Sequence, residues 1–179
     1  MGKLDGKVAV ITGGARGQGR SHAVTLAREG ADIVICDIAA QIDTVPYPMS
    51  TPADMDETVR LVEDLDRRCV AVQADVRDAA QMQAVAERAM SEFGRIDILL
   101  ANAGIFSFAG GSGSWEMSDQ QWRDMIDVNL TGVWQSCKAV IPHMIAGGRG
   151  GCIVITSSTA GLHGFANFAH YVSAKHGVV

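Results

Sequence analysis

Long apolar runs are absent from this 179-residue sequence. Its hydrophobic stretches stay strand-sized, well short of the roughly 20 residues that cross a bilayer, so no transmembrane helix is expected. Basic residues are outnumbered, with 15 Lys and Arg against 20 Asp and Glu and a net charge of -5. The signs are interspersed, which leaves neither a basic stripe for nucleic acid nor a cationic amphipathic helix for a membrane surface. The first apolar run, "VAVIT", is short, follows Asp5 and runs straight into glycines, unlike a secretory signal. Cysteines number 4, at positions 36, 69, 137 and 152, and none forms a CxxC pair. A disulfide framework is thereby excluded, and buried reduced thiols in a cytoplasmic protein are expected. His163, His170 and His176 lack the compact spacing of metal ligands, so no metal site is expected.

What the sequence does hold is apolar residues, 47% of the total, and 20 glycines. A chain of this length suits one domain burying roughly 70% of its unfolded surface. Short Val, Ile, Leu and Ala runs alternate with helical patterns: "KVAVIT", "ADIVICD", "CVAVQAD", "IDILLANAG" and "GGCIVITSS" each stand apart, with amphipathic stretches between. Near-continuous runs of this kind are the mark of parallel strands covered by helices on both faces. Five βα repeats imply right-handed crossovers and an α/β, doubly wound parallel sheet over residues 1–179. Methionines 82, 90, 125 and 144 fall in helical patterns as core filler.

Two segments break the alternation. Residues Ala39 to Thr51, "AAQIDTVPYPMST", carry two of the 4 prolines and exceed an ordinary βα loop. Residues Phe106 to Met117, "FSFAGGSGSWEM", form a glycine-rich loop with aromatic residues after the fourth strand, at the sheet edge where ligands bind. Phe106, Phe108, Trp115, Phe165 and Phe168 either pack the fold or line an apolar substrate pocket.

After the first strand comes "TGGARGQG", with Gly13, Gly17 and Gly19 leading directly into a helix. Glycines let the backbone approach a ligand closely, and the helix N-terminus behind them offers free N–H groups to a pyrophosphate. Alone, the pattern fits a tight turn equally well; placed in a βαβ unit it reads as a dinucleotide cradle. The second strand ends in Asp37, where a carboxylate accepts adenosine ribose hydroxyls and repels a 2′-phosphate. Arg16 in the glycine loop points the other way, toward a phosphate. The position of Asp37 decides for NAD over NADP, the remaining alternative being a solvated strand-end residue.

Tyr171 and Lys175 are four apart, on one face of any helix starting nearby. A phenol is a poor base at neutral pH, and an adjacent ammonium favours the phenolate. Such a group exchanges a proton with an alcohol or carbonyl oxygen while a nicotinamide exchanges the hydride. Ser158 precedes Tyr171 by thirteen residues, at the carboxyl end of a strand, where its hydroxyl can hold the reacting oxygen. Ser157 is the neighbouring candidate, and alternation along the strand lets one of the two face the site.

Together, TGGARGQG, Asp75 after the third strand, Asn102-Ala103-Gly104, Asn129 in "VNLTG", the serine pair and Tyr171-x-x-x-Lys175 resemble the short-chain dehydrogenase/reductase family, in that family's order along essentially the whole chain. The G-x3-G-x-G spacing resembles its compact oxidoreductase branch. "RGQGRSHAV" with the Ala39–Thr51 insertion is similar to the carveol-dehydrogenase-like, mycofactocin-linked subgroup. The resemblance implies a Rossmann-type fold and an NAD-dependent enzyme interconverting an apolar, terpenoid-like secondary alcohol and its ketone. It implies Tyr171 as proton donor or acceptor, Lys175 as its tuner and a ligand of the nicotinamide ribose, Ser158 as the group orienting substrate, and Asn129 as holding a helix kink and a relay water. Gly13, Arg16, Gly17, Gln18 and Gly19 become cofactor contacts, Asp75 and Val76 flank the adenine, and Asn102, Ala103 and Gly104 stabilise the central strand beside it.

In the subgroup the insertion covers a retained NAD that a redox peptide re-oxidises. Family members also continue past the lysine with further strand and helix elements, one of them half of the oligomer interface. The resemblance therefore implies a C-terminally incomplete domain here, exposed apolar surface in the last βα unit, and a homo-oligomer for the complete protein. A dinucleotide-binding module without turnover is the alternative.

Overall fold

The computed structural model describes residues 2–108 and 113–179, so residues 109–112 of the expected glycine-rich loop lie outside the described residues. Five parallel strands, β1 (Val8–Thr12), β2 (Asp32–Asp37), β3 (Cys69–Gln73), β4 (Ile98–Ala101) and β5 (Cys152–Ile155), form one sheet in the order β3-β2-β1-β4-β5. Helices α1 (Gly17–Arg28), α2 (Pro52–Glu63), α3 (Ala79–Phe93), α4 (Asp119–Ile126), α5 (Gly132–Ala146) and α6 (Ala169–Val178) cover it. Strand order reverses between β1 and β4, which opens a crevice above their carboxyl ends.

The alternation of side chains explains the core. Val8 and Val10 of β1, with Val34 and Cys36 of β2, point to one face, where α3, α4 and α5 pack through Met82, Val85, Met125 and Val140. Ala9, Ile11, Ile33 and Ile35 point to the other, against Ala23, Ala27, Met55 and Val62 of α1 and α2. Ile11, Ile33 and Ile35 are fully buried, each contributing roughly 1.5–3 kcal/mol relative to an exposed position. Met82, Met125 and Met144 are buried as expected, and Met90 packs against them.

Edge strands depart from the expectation of cover on both faces. β5 is exposed along its length, with Val154 at 50%, because it pairs only with β4 among the described residues. Cys152 is consequently exposed, and Cys69 and Cys137 are half-buried, so the expected buried thiol holds for Cys36 alone. Burial pushes the Cys36 thiol up to about 12, with the neighbouring Asp37 charge adding to it. Exposed apolar surface in the last βα unit is present as expected, at Leu162, Phe165 and Val179.

The long helical pattern between Asp119 and Met144 is split. A π turn over Asp127–Thr131 separates α4 from α5. Such a turn inserts an extra residue and marks functional positions; here it carries Asn129, which is completely buried.

Candidate active site

The cradle is built from the β1 terminus. Thr12 Oγ1 accepts the Asn102 and Ala103 N–H groups at 3.1 and 3.0 Å, while Asn102 Nδ2 donates to the Thr12 carbonyl at 3.0 Å. These bonds lock the end of β4 to the end of β1. Gly13 then turns with φ 66°, and a Cβ there would lie 2.9 Å from Ala103 Cα. A Cβ at Gly19 would lie 2.0 Å from the Gly13 carbonyl oxygen, so the loop closes on itself only because that atom is missing. Arg20 of α1 and Thr58 of α2 both donate to the Ala15 carbonyl, fixing the loop from behind.

Helix N-termini leave N–H groups free unless a side chain caps them. Thr51, Asp78 and Ser118 cap α2, α3 and α4 in this way, but Arg16 gives α1 no side-chain cap and its first turn holds no acid. The helix that points its N-terminus at the crevice through glycines is thus left uncapped, as α6 is behind Phe168. A dinucleotide pyrophosphate fits this donor set.

Asp37 stands beside it, buried. Its Oδ2 accepts the Ala15 N–H at 3.0 Å, and its Oδ1 accepts the Ala39 N–H at 3.3 Å and the Ser50 hydroxyl. A carboxylate has about four acceptor positions, so roughly one remains, on Oδ2. Of two ribose hydroxyls, the second reaches Asp37 only by displacing Ser50 or Ala39. Asp75 pairs with Arg77 at 2.7 Å, and Arg77 reaches on to Asp124 of α4 at 2.8 Å.

Lys175 is buried, with its Nζ donating to the Thr156 carbonyl at 2.8 Å and lying 5.8 Å from the centre of the Tyr171 ring. Burial pulls its ammonium below the usual lysine value. Helix α6 therefore places both groups on one face, as their spacing predicts. Ser158 Oγ accepts the Ala160 N–H at 3.1 Å, which leaves its own hydrogen free to donate. Ser157 Oγ is turned to the Lys175 carbonyl at 3.2 Å. Asn129 is saturated: Oδ1 accepts the Ile105 N–H, and Nδ2 donates to the Ile105 carbonyl, both at 2.8 Å.

Asp37, Asp75, Asn102, Ser157, Ser158, Tyr171 and Lys175 border one cleft of about 610 Å³, which Asn129 does not line and which also touches Gly13, Arg16, Gly17, Gln18, Gly19, Val76, Ala103 and Gly104. The Ala39–Thr51 insertion supplies a wall that the motifs do not announce: Ile42, Tyr47, Met49 and Ser50 line the same cleft. Gln41 organises this wall, its amide donating to the Ile42, Val45 and Tyr47 carbonyls. Joined to this wall through the Tyr47 hydroxyl is an aromatic group in which Phe106 meets Tyr171 edge-on at 5.0 Å and stacks on Phe168 at 5.2 Å. Phe165 and Trp115 are exposed outside it.

The family model for short chain dehydrogenases matches residues 7–179. The chain is 50% identical to a (-)-trans-carveol dehydrogenase of Rhodococcus erythropolis, over 100% of this chain and 64% of that protein. It is 48% identical to an uncharacterized NAD-dependent oxidoreductase of Mycobacterium tuberculosis, over 99% and 64%. The crystal structure of carveol dehydrogenase from Mycobacterium avium in complex with NAD superposes with a TM-score of 0.96 at 52% identity, over 99% of this chain and 64% of that one. The chain spans about 64% of the length of the relatives it matches. With the cradle, the serine pair and the Tyr171–Lys175 helix assembled around one cleft, and with that match running through them, the chain belongs to the short chain dehydrogenase family.

Proposed function

We propose that this chain carries the cofactor cradle and catalytic groups of an NAD-dependent oxidoreductase that interconverts an apolar secondary alcohol and its ketone. The observation that carries this reading is the placing of Tyr171, above the buried Lys175 ammonium, in the same cleft as the Gly13–Gly19 cradle and Asp37. In the oxidation direction Ser158 donates a hydrogen bond to the substrate oxygen while the Tyr171 oxygen takes the hydroxyl proton. Lys175 supplies positive charge on the same helix face, its Nζ 5.8 Å from the centre of the Tyr171 ring. Bound NAD supplies the hydride acceptor. Asn129 keeps the segment after β4 in place through Ile105.

A terpenoid-like alicyclic alcohol suits the cleft wall at Phe106, which packs on Phe108 and Phe168, and the carveol dehydrogenase relative supports that class. The insertion bordering the cleft supports a retained NAD with a redox peptide as electron acceptor. A cytoplasmic homo-oligomer completes the reading. The test uses the full-length protein purified with its bound cofactor: adding alcohol should give one burst of absorbance at 340 nm, with little further turnover on free NAD. Rapid multiple turnover with free NAD alone would overturn the retained-cofactor part.

Two further expectations concern the cradle. Gly19→Ala forces its Cβ into the Gly13 carbonyl, so bound NAD per protein should fall at least about tenfold, read by absorbance of the denatured extract. Asp37→Asn removes the charge that repels a 2′-phosphate and turns one acceptor into a donor. The ratio of NAD to NADP affinity, measured by calorimetry, should drop by about tenfold or more, equivalent to about 1.4 kcal/mol. An unchanged ratio would remove Asp37 from cofactor selection.

A further inference from the structure

Three consecutive residues after β4 are each gripped by a side chain from a different element. Ile105 is held by Asn129 of the π turn, Phe106 donates its N–H to the Tyr47 hydroxyl of the insertion at 3.1 Å, and Ser107 meets His170 of α6. The third grip is the unusual one. His170 is completely buried, Ser107 is 2% exposed, and the His170 Nε2 lies 3.2 Å from Ser107 Oγ. His170 Nδ1 has no hydrogen-bond partner, the one such buried side-chain atom among the described residues. Burial lowers the imidazole below the usual histidine value, with the Phe168 backbone opposing it in part. A buried polar atom without a partner is destabilising. An apolar residue before Tyr171 would avoid that cost, so the position is not explained by packing alone.

What the bond joins gives the reason. His170 directly precedes Tyr171 on α6, and Ser107 directly follows Phe106, whose ring meets the Tyr171 ring edge-on at 5.0 Å and 85°. Phe106 also stacks on Phe168, just ahead of α6. Aromatic contacts tolerate sliding, whereas a hydrogen bond between two buried groups has one separation. We propose that His170 and Ser107 are a positioning pair, which fixes the substrate-side loop Ile105–Phe108 to the catalytic helix and so sets the distance between the Phe106 wall and the Tyr171 hydroxyl. The pair touches no reacting atom; it acts through Phe106 and Tyr171. This proposal rests on the reading of Tyr171 given above.

Ser107→Ala removes the bond with little change in volume, and His170→Gln keeps a donor at similar reach. In the full-length protein with bound NAD, single-turnover hydride transfer at 340 nm is followed against the concentration of a cyclic secondary alcohol such as cyclohexanol. Ser107→Ala should slow the saturating rate about tenfold or more, since an error of about 1 Å in placement costs up to about 100-fold. Its NAD content should match the wild type. His170→Gln should recover most of the rate. Ser107→Ala combined with His170→Phe should be no slower than the slower single variant, because each breaks the same bond.

An unchanged rate in Ser107→Ala, or a loss matched by the loss of folded, NAD-bearing protein, overturns the positioning role while leaving Tyr171 in place. A His170→Gln variant as slow as Ser107→Ala, with full NAD content, also overturns it. Absence of any Tyr171-dependent transfer in the wild type overturns the underlying reading, and this proposal with it.

Discussion

Tyr171→Phe is expected to abolish hydride transfer to bound NAD, lowering the single-turnover rate by roughly 100- to 10,000-fold, the usual contribution of a positioned acid or base. The substitution removes one oxygen and leaves the ring. Contacts with Phe106 and the Lys175 ammonium involve that ring, so the aromatic wall, NAD content and unfolding midpoint should stay at wild-type values. This separates chemistry from binding, because the cradle of Gly13, Gly17 and Gly19 lies in the turn after β1 and the start of α1, not on α6. The measurement is absorbance at 340 nm after mixing cofactor-loaded protein with excess alcohol. Equal bursts in wild type and variant, or none in either, would favour a dinucleotide-binding module without turnover.

Much of this site was legible in the sequence because the signals were local. Tyr171 and Lys175 share a helix face by spacing alone, and Gly13 and Gly19 sit between a strand and a helix that their neighbours announce. The two-sided burial of β1 and β2 follows from runs such as "VAVIT" and "DIVICD". The sequence offers Ser158 and Ser157 as alternatives, and only the structure turns Ser157 toward the Lys175 carbonyl. The unread features were contacts between distant segments. Ser50 and Tyr47 come from a segment with no motif, yet one hydrogen-bonds Asp37 and the other the Phe106 N–H. Nothing in "FAHYVSAK" distinguishes a buried His170 from a solvated one, since its partner lies 63 positions away. The exposure of β5 was invisible for the opposite reason: "CIVI" has the composition of a covered strand, and its place at the sheet edge is set by topology.

Asn129→Ala should produce the largest loss of stability among single substitutions in the site. The side chain is wholly buried and does for Ile105 what a neighbouring strand would do, accepting its N–H and donating to its carbonyl, both at 2.8 Å. Removing it leaves two buried main-chain groups without partners, at about 1–3 kcal/mol each, and a small cavity beside Met125. A total near 2–6 kcal/mol would lower the midpoint of thermal unfolding by about 5–20 °C in a chain of this size. Asn129→Asp tests the same bonds differently. Its oxygen still accepts the Ile105 N–H, but it cannot donate to the carbonyl when ionised, and a buried charge without a partner is penalised further. It should therefore be at least as unstable as the alanine variant at neutral pH. Acidification restores the proton and the donor, so its deficit should shrink as pH falls, the sense expected for a carboxyl whose folded-state pKa lies above the unfolded one. Urea unfolding at two pH values, compared with the wild type, reads both effects. Midpoints unchanged in the alanine variant would show that Ile105 is held by its other neighbours, and that the π turn does not exist to aim Asn129 at the end of β4.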